Sequence, residues 1–202
     1  MKSIKRKLAS ARSMLAAVAA GIALTALTLP ARAQTCAPES GFSPEGGAAA
    51  LVLRAIGSAR GSIRLAAYSF TSPDVVRGLI AAKRRGVDVA VVVDAKSNLR
   101  EDRSGKGVAA LNLLREAGIA ARTIETYSIH HDKYMVIDGE TVETGSFNYT
   151  KAATHYNSEN VLVLWNCKSM AEQYLNHWNS RWEQGKDWEN NAAWKPGGRK
   201  GR

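Results

Sequence analysis

Hydrophobic residues along the chain recur at two spacings, one typical of helices and the other typical of strands. Apolar positions at helical spacing predict four helices, over residues 45–59, 73–86, 108–117 and 169–184. Apolar runs and alternating patterns predict strands at 62–70, 87–93, 119–124, 130–137, 141–144 and 159–165. Because helices and strands alternate over most of the chain, the pattern favours one layered α/β domain.

Polar segments separate these predicted elements. Ser72 followed by Pro73 is typical of a helix start. Residues 138–140, with the sequence Asp-Gly-Glu, predict the turn of a hairpin. Residues 95–107 predict an exposed cationic loop that touches substrate, and residues 190–202 predict a flexible basic tail. The cations of the predicted loop are Lys96, Arg100, Arg103 and Lys106.

The first 33 residues have the composition of a secretory signal peptide. A cationic start precedes an apolar run from Met14 to Leu29, and a small-x-small cleavage site ends at Ala33. The apolar run is shorter than the roughly 20 residues that span a bilayer, which favours cleavage over an uncleaved membrane anchor. We therefore expect a periplasmic or secreted bacterial protein whose domain covers residues 34–189, without stable membrane association after cleavage.

The net charge has to be judged without this leader. The chain has 28 Lys plus Arg and 18 Asp plus Glu, which gives a formal charge of +10. Six of the cations lie in the first 33 residues, which contain no acid, so the remainder has a formal charge of +4. With 45% hydrophobic and 23% charged residues, the composition excludes a disordered tail, a collagen-like rod and a multi-span membrane protein. The remaining charge alone does not establish nucleic-acid binding.

Cys36 and Cys167 are the two cysteines of the chain, and both remain after cleavage of the leader. In an oxidising compartment we expect them to form a disulfide, with two unpaired thiols as the alternative. The bond would close a long loop and contribute about 4 kcal/mol in the chain-entropy model. Neither cysteine has a neighbour at metal-ligand spacing, so no zinc site is predicted.

The candidate chemistry is concentrated between residues 131 and 159, where the patterns HxKxxxxD and GSxN occur. Their fixed positions are His131, Lys133, Asp138, Gly145, Ser146 and Asn148. The two patterns resemble the HKD motif of the phospholipase D superfamily in every residue type and spacing. The short exported chain with one motif is most similar to the bacterial periplasmic endonuclease branch of that superfamily. This resemblance implies a mixed β-sheet between helices, with one HKD motif per chain.

The same residues form a consistent phosphodiester site on chemical grounds. On a continuous strand His131 and Lys133 share a face, whereas Asp138 points to the opposite face. Lys133 and Asn148 can stabilise the charge spread over a pentavalent transition state. The imidazole of His131 can attack phosphorus or donate a proton near neutral pH. We assign Asp138 to holding the hairpin rather than to proton transfer.

In-line displacement at phosphorus needs an attacking group on one side and a proton donor for the departing oxygen on the other. Single-motif relatives complete this arrangement by homodimerising, so the resemblance implies an active site shared by two subunits. His131 would form a phosphohistidine, and His131 of the partner subunit would protonate the leaving alcohol and then activate water. No metal ion or other cofactor is predicted for this reaction.

Several neighbouring residues have two interpretations. Glu159 either orients the imidazole, by analogy with an acid that relatives carry after GSxN, or pairs with a surface cation. Gly145 allows close backbone approach, and Ser146 either contacts the phosphoryl group or is a structural turn residue. His155 either lines a nucleic-acid groove or lies on the surface. The cations Lys96, Arg100 and Arg103 are the other candidate substrate ligands.

Two further histidines receive structural assignments. On a continuous strand His130 faces away from His131. His177 is expected to be structural, because it lies among the aromatic side chains of the last predicted helix.

Three classes of function are compatible with these observations. The favoured one is a non-specific endonuclease acting on DNA, with RNA as a further candidate substrate, because export, a compact single-motif chain and the cationic segments suit it. The alternative is a phospholipid hydrolase or transphosphatidylase, which needs an exposed apolar entry surface that the sequence does not reveal. The intact motif argues against the third class, a non-catalytic DNA-binding module.

Overall fold

The computed structural model describes residues 36–189, in which one mixed eight-stranded sheet lies between two layers of helices. The strands are β1 (Ala37–Ser43), β2 (Ser62–Ala67), β3 (Asp88–Asp94), β4 (Ala120–Ile124), β5 (Lys133–Ile137), β6 (Thr141–Gly145), β7 (Glu159–Trp165) and β8 (Lys186–Asp187). The helices are α1 (Gly47–Ser58), α2 (Pro73–Arg84), α3 (Lys106–Glu116), α4 (Lys151–His155) and α5 (Lys168–Gln184). This arrangement confirms the predicted fold class.

The strand order in the sheet is β1-β7-β6-β5-β2-β3-β4-β8. Strands β2, β3 and β4 run parallel to one another, and the other neighbouring pairs are antiparallel. The two halves of the sheet meet where β5 pairs with β2. Strand β5 is therefore central, and the HxK residues lie at its beginning.

Two hydrophobic cores cover the faces of this sheet. On one face α1, α2 and α3 pack with inward side chains such as Leu65 and Met135. On the other face α5 packs Trp178 against a set that includes Tyr134 and Val136. Residues 134–137 thus alternate between the two cores, as the period of a strand requires. Strand β3 is buried on both faces, which explains its continuous run of apolar residues.

The ends of the described part of the chain contain two strands that the sequence pattern did not predict. Strand β1 pairs with β7 from Ala37 to Ser43, and β8 pairs with β4 over two residues. The predicted disulfide is confirmed between Cys36 and Cys167, whose Cα atoms are 4.4 Å apart. The predicted signal peptide and the predicted tail lie outside the described residues. Within residues 36–189 no helix is long and apolar enough to cross a membrane.

The prediction of a loop over residues 95–107 is wrong, although the four cations of this segment are exposed as expected. Residues Lys96–Glu101 form a short π-helix, and α3 already begins at Lys106. The Asp94 carboxylate accepts the Ser97 N–H at 2.6 Å, and the buried Asn98 amide donates to the Tyr68 and Asp94 carbonyls at 2.6 and 2.8 Å. These side-chain bonds satisfy buried backbone groups and fix the segment.

The predicted strand 130–137 begins later than expected. Strand β5 starts at Lys133, so His131 and Asp132 precede it. The Asp94 carboxylate accepts the His130 N–H at 2.7 Å, which ties this approach to the end of β3. The strand periodicity used to place His131 and Lys133 on one face therefore does not apply, and their proximity has another cause.

Candidate active site

The motif residues are distributed along the hairpin formed by β5 and β6. Lys133 begins β5 and Gly145 ends β6, so both lie at the open end of the hairpin. Tyr134 pairs with Thr144 next to this end, and the Thr144 hydroxyl donates to the Lys133 carbonyl at 3.3 Å. Asp138 lies in the turn at the opposite end. The hairpin thus separates Asp138 from the rest of the motif.

Asp138 anchors the turn of the hairpin to the start of β2. Its carboxylate accepts the backbone N–H groups of Arg60, Gly61 and Ser62 at 2.9, 2.7 and 2.7 Å. Partial burial alone would raise the pKa of Asp138, but the three N–H donors and the charge of Arg60 bring it below its ordinary value. This geometry matches the holding role assigned to Asp138 and gives it no contact with the open end.

His131 and Lys133 line the same cavity, which has a volume of about 440 Å³. The Lys133 ammonium donates to the backbone carbonyl of His131 at 2.9 Å, which holds the lysine side chain beside this residue. Tyr68, which immediately follows β2, contacts both: its ring centre lies 4.6 Å from that of His131 and 5.3 Å from the Lys133 Nζ. Tyr68 could not be identified from the sequence, because it lies in a separate segment that follows β2.

Lys133 is a buried cation with only 8% of its surface exposed. Burial lowers its pKa, and the nearby carboxylates of Glu159 and Asp132 partly oppose that shift. A desolvated ammonium interacts more strongly with an anionic ligand than an exposed one does. Lys133 is therefore suited to hold the non-bridging oxygens of a phosphodiester.

The glycine of GSxN is required by a close backbone contact. A Cβ atom at Gly145 would lie 2.2 Å from the carbonyl oxygen of Asn160 in β7. The following residue, Ser146, donates from its hydroxyl to Glu159 at 2.6 Å and accepts the Asn160 N–H at 3.0 Å. The expected close approach at Gly145 is confirmed, and Ser146 links β6 to β7.

Glu159 has neither of the two roles expected from the sequence. One carboxylate oxygen accepts Ser146, and the other accepts the Asn157 amide at 2.9 Å. Within residues 36–189 it forms no hydrogen bond with the His131 imidazole and no ion pair with a surface cation. The carboxylate still lies close enough to Lys133 to influence its pKa. Glu159 therefore organises Ser146 and contributes negative charge beside the lysine.

Asn148 presents a half-buried amide. Its Oδ1 atom is buried without a hydrogen-bond partner among the described residues. The next residue, Tyr149, is fully buried, and its hydroxyl donates to Glu143 at 2.7 Å. That bond fixes the backbone just after Asn148, while the amide itself retains hydrogen-bonding capacity for a ligand.

The other two histidines near the motif differ in their solvent exposure. His130 is buried, and burial lowers its pKa while Asp132 and Asp94 act in the opposite direction. His177 differs from its predicted structural role, because its side chain is 40% exposed and lines the cavity with His131. Its Nε2 lies 3.0 Å from Asp132. The sequence separation of 45 residues hid this contact.

The four predicted substrate ligands outside the motif do not line this cavity. Lys96 pairs with Glu101 at 3.4 Å, and Arg100 pairs with Glu125 at 3.0 Å. Arg103 is exposed, and His155 is exposed at the end of α4. Two of the three cations are therefore neutralised by neighbouring acids. Among residues 36–189, no group of three or more His, Cys, Asp or Glu residues is arranged to hold a metal ion.

An apolar groove of about 630 Å³ lies between α2, α3 and the start of α4. Its apolar lining includes Pro73, Val76, Ile80, Ala109 and Leu113. Leu113 is 49% exposed there. This apolar surface is not evident in the sequence, because most of its residues come from two separate helices.

A mixed sheet with HxK and GSxN at one end of a central hairpin defines an HKD-type phosphodiesterase fold. The family model described as "Cardiolipin synthase, PLD-like domain" matches residues 52–182, and the chain belongs to this family. Members of the wider phospholipase D superfamily act on phosphodiester bonds.

Solved structures show the same fold. The crystal structure of a phospholipase D family member, Nuc from Salmonella typhimurium, is 49% identical and has a TM-score of 0.74, covering 77% of this chain and 100% of that one. NucT from Helicobacter pylori is 22% identical with a TM-score of 0.68, covering 76% of this chain and 100% of that one, and shows the fold alone.

Curated relatives carry different names. A "Phospholipase D" of Rickettsia felis is 34% identical over 76% of this chain and 70% of its own length. A "Mitochondrial cardiolipin hydrolase" of Canis lupus familiaris is 32% identical over 66% of this chain, which spans half the length of that relative. The names of the curated relatives refer to phospholipid hydrolysis, and that of the solved relative Nuc does not. Membership of the family therefore does not identify the substrate.

Proposed function

We propose that the protein is a non-specific endonuclease that hydrolyses phosphodiester bonds of DNA, and also of RNA, through a phosphohistidine at His131. The observation that carries this proposal is the joint placement of His131 and the buried Lys133 in one open cavity. Asn148 follows β6, the strand that pairs with β5, and its side-chain NH2 group makes no hydrogen bond among the described residues, so it can donate to a phosphoryl oxygen. These groups supply the nucleophile, cation and amide that phosphoryl transfer needs.

In the proposed first step, a ring nitrogen of His131 forms a bond to phosphorus while the bond to the leaving oxygen breaks. Lys133 and Asn148 stabilise the additional charge on the non-bridging oxygens. The leaving oxygen takes a proton from His131 of the partner subunit. In the second step water attacks phosphorus, gives its proton to that second imidazole and releases His131. No step requires a metal ion.

The proposal of a nucleic-acid substrate rests mainly on the 49% identity with Nuc over the whole of that chain. The formal charge of +4 that remains without residues 1–33 adds only support of a general kind. The pairing of Lys96 and Arg100 with acids removes part of the support expected from residues 95–107. We also propose that residues 1–33 direct export, since a Cys36–Cys167 disulfide suits an oxidising compartment.

Plasmid DNA in the presence of EDTA provides the direct test. We expect nicking and linearisation to persist, and the His131→Ala protein to be inactive under the same conditions. Complete loss of cutting in EDTA would refute the metal-independent mechanism. Sedimentation at assay concentration tests the shared site, because a strictly monomeric and fully active protein is incompatible with it.

Phospholipid hydrolysis is the second candidate, favoured by the apolar groove and by the names of the curated relatives. Phosphatidylcholine vesicles and DNA should be compared with the same protein preparation. Leu113→Glu places a charge in the groove, so it should leave DNA cutting within about twofold if the groove has no part in that reaction. Choline release that exceeds DNA cleavage and is abolished by Leu113→Glu would reverse the ranking.

A further inference from the structure

The cavity that contains His131 continues along one face of α5. Gln173, Tyr174 and His177 line it opposite the motif, at the spacing that places residues on one side of a helix. Its volume of about 440 Å³ is in the range that accommodates a drug-sized ligand, which is more than one phosphoryl group needs. The part beside α5 is therefore available to a neighbouring portion of the substrate.

Asp132, the variable residue of the HxK pattern, holds His177 in this wall of the cavity. Its Nε2 lies 3.0 Å from the Asp132 carboxylate, and Asp132 separates His131 from Lys133 in the sequence. The same oxygen of Asp132 lies 3.3 Å from the Nδ1 of buried His130, which limits its movement. Within residues 36–189, the Nδ1 of His177 makes no hydrogen bond. A protonated ring can donate from Nε2 to Asp132 and from Nδ1 to an anion at the same time.

Tyr134 provides a second, independent observation in the same wall. It is 4% exposed, and its hydroxyl is buried without a hydrogen-bond partner among the described residues. The Tyr174 ring packs edge-on against it, with ring centres 4.9 Å apart. A buried hydroxyl normally has a partner, so this group is suited to a polar atom of a ligand in the cavity.

We propose that His177 and Tyr134 form a flanking subsite that binds the phosphate next to the scissile phosphodiester, with Asp132 orienting His177. The inference rests on the proposed nuclease function. His177 donates to an oxygen of the flanking phosphate, and the Tyr134 hydroxyl donates to the same nucleotide unit. The motif then positions the reacting phosphate while α5 positions its neighbour. The subsite contributes to binding of a polynucleotide and takes no part in bond breaking.

The test compares substrates with and without a flanking phosphate. Bis(p-nitrophenyl) phosphate has only the reacting diester, whereas a short single-stranded oligonucleotide has neighbours. For the oligonucleotide, His177→Ala should raise KM about tenfold with kcat retained, because it removes a charge-assisted hydrogen bond. Hydrolysis of the small diester should stay within about twofold, since that substrate does not reach the subsite.

Matched variants separate binding from folding. Asn176→Ala changes an exposed neighbour on α5 that does not line the cavity and should behave as wild type on both substrates. Tyr134→Phe keeps the ring and should raise KM for the oligonucleotide about threefold, with thermal stability retained. In a His131→Asn background, which prevents turnover, His177→Ala should weaken oligonucleotide binding by the same factor as it raises KM.

The outcomes distinguish the subsite from the proposed function. An equal loss on both substrates, or no loss on either, would overturn the subsite while leaving the nuclease intact. A wild-type protein that hydrolyses phosphatidylcholine but no oligonucleotide would overturn the nuclease proposal and the subsite with it. A selective rise in KM for the oligonucleotide supports both.

Discussion

The two ends of the β5–β6 hairpin belong to one sequence motif but have opposite chemical character. At the turn, Asp138 accepts three backbone N–H groups and its pKa is lowered. At the open end, Lys133 is desolvated, and the polar atoms of Asn148 and Tyr134 are buried without partners among the described residues. At the turn the polar groups are satisfied by hydrogen bonds within the protein. At the open end polar groups remain unpaired and are suited to bind a ligand.

This contrast divides the motif into anchoring and reacting residues. A site that positions reacting groups accurately needs rigid support from the elements that carry them. Asp138 supplies that support by fixing the hairpin to the start of β2, far along the strand from Lys133. Substitutions at the open end should therefore affect rate, and substitutions at the turn should affect stability.

The largest effect is expected at His131. His131→Ala removes the proposed nucleophile and should lower kcat on DNA by about 10⁴-fold or more. The side chain is exposed, so the midpoint of thermal unfolding should change little. Steady-state cleavage and calorimetry measure the two quantities. Activity of the variant within tenfold of wild type would contradict the role of His131 as the nucleophile.

Lys133→Met should have the next largest effect. It keeps most of the side-chain volume and removes the buried charge, so kcat should fall by about 10²- to 10³-fold. Lys168→Met, at the exposed start of α5, removes one positive charge elsewhere and serves as the control. Similar losses in both variants would indicate a general charge effect rather than a specific contact with phosphate.

Asp138→Asn tests the anchoring end. It replaces a charged acceptor of three backbone N–H groups and should lower the free energy of unfolding at pH 7 by about 3 kcal/mol. Because the folded-state pKa of Asp138 is lowered, this stabilisation exists above the unfolded pKa and disappears as pH falls through the folded pKa. Urea titrations at pH 7 and pH 3 should show a smaller difference at pH 3 than at pH 7. The folded variant should keep kcat within about twofold.

Glu143 lies between the two ends and should produce the smallest effect. Burial raises its pKa to about 8, although the hydrogen bond from Tyr149 acts in the opposite direction. The folded protein therefore retains a proton that the unfolded chain releases, and stability should fall as pH rises from 6 to 9. Glu143→Gln should reduce that fall by about 2 kcal/mol. Equal pH dependence in both proteins would contradict the raised pKa.

The sequence predicted the parts of this structure that depend on local pattern. The helices and central strands have clear periodicity, and the HKD spacing located both ends of the hairpin. Strand β1 escaped prediction because Pro38, Gly41 and the polar residues around them give no strand alternation. Its conformation depends on pairing with β7 and on the disulfide.

The candidate site was predictable only where its residues are close in sequence. Tyr68, which follows β2, contacts His131, and His177 reaches the cavity from α5, but neither segment has a pattern that indicates these contacts. The convergence of His131 and Lys133 was expected from strand periodicity, but His131 precedes the strand, and the Lys133 ammonium bonds to its backbone carbonyl. Long-range packing decided these features, and local propensity carries little information about it.

The disulfide joins two features described separately above. Cys36 precedes β1, and Cys167 immediately precedes α5, the helix whose face carries His177. The disulfide therefore links the edge strand β1 covalently to the N-terminal end of α5, the helix that lines the cavity. In a chain with both thiols reduced, the edge strand is held by backbone pairing and side-chain contacts alone, and such edges open at low cost. The rigidity of the cavity wall is in this way linked to the redox state of its surroundings.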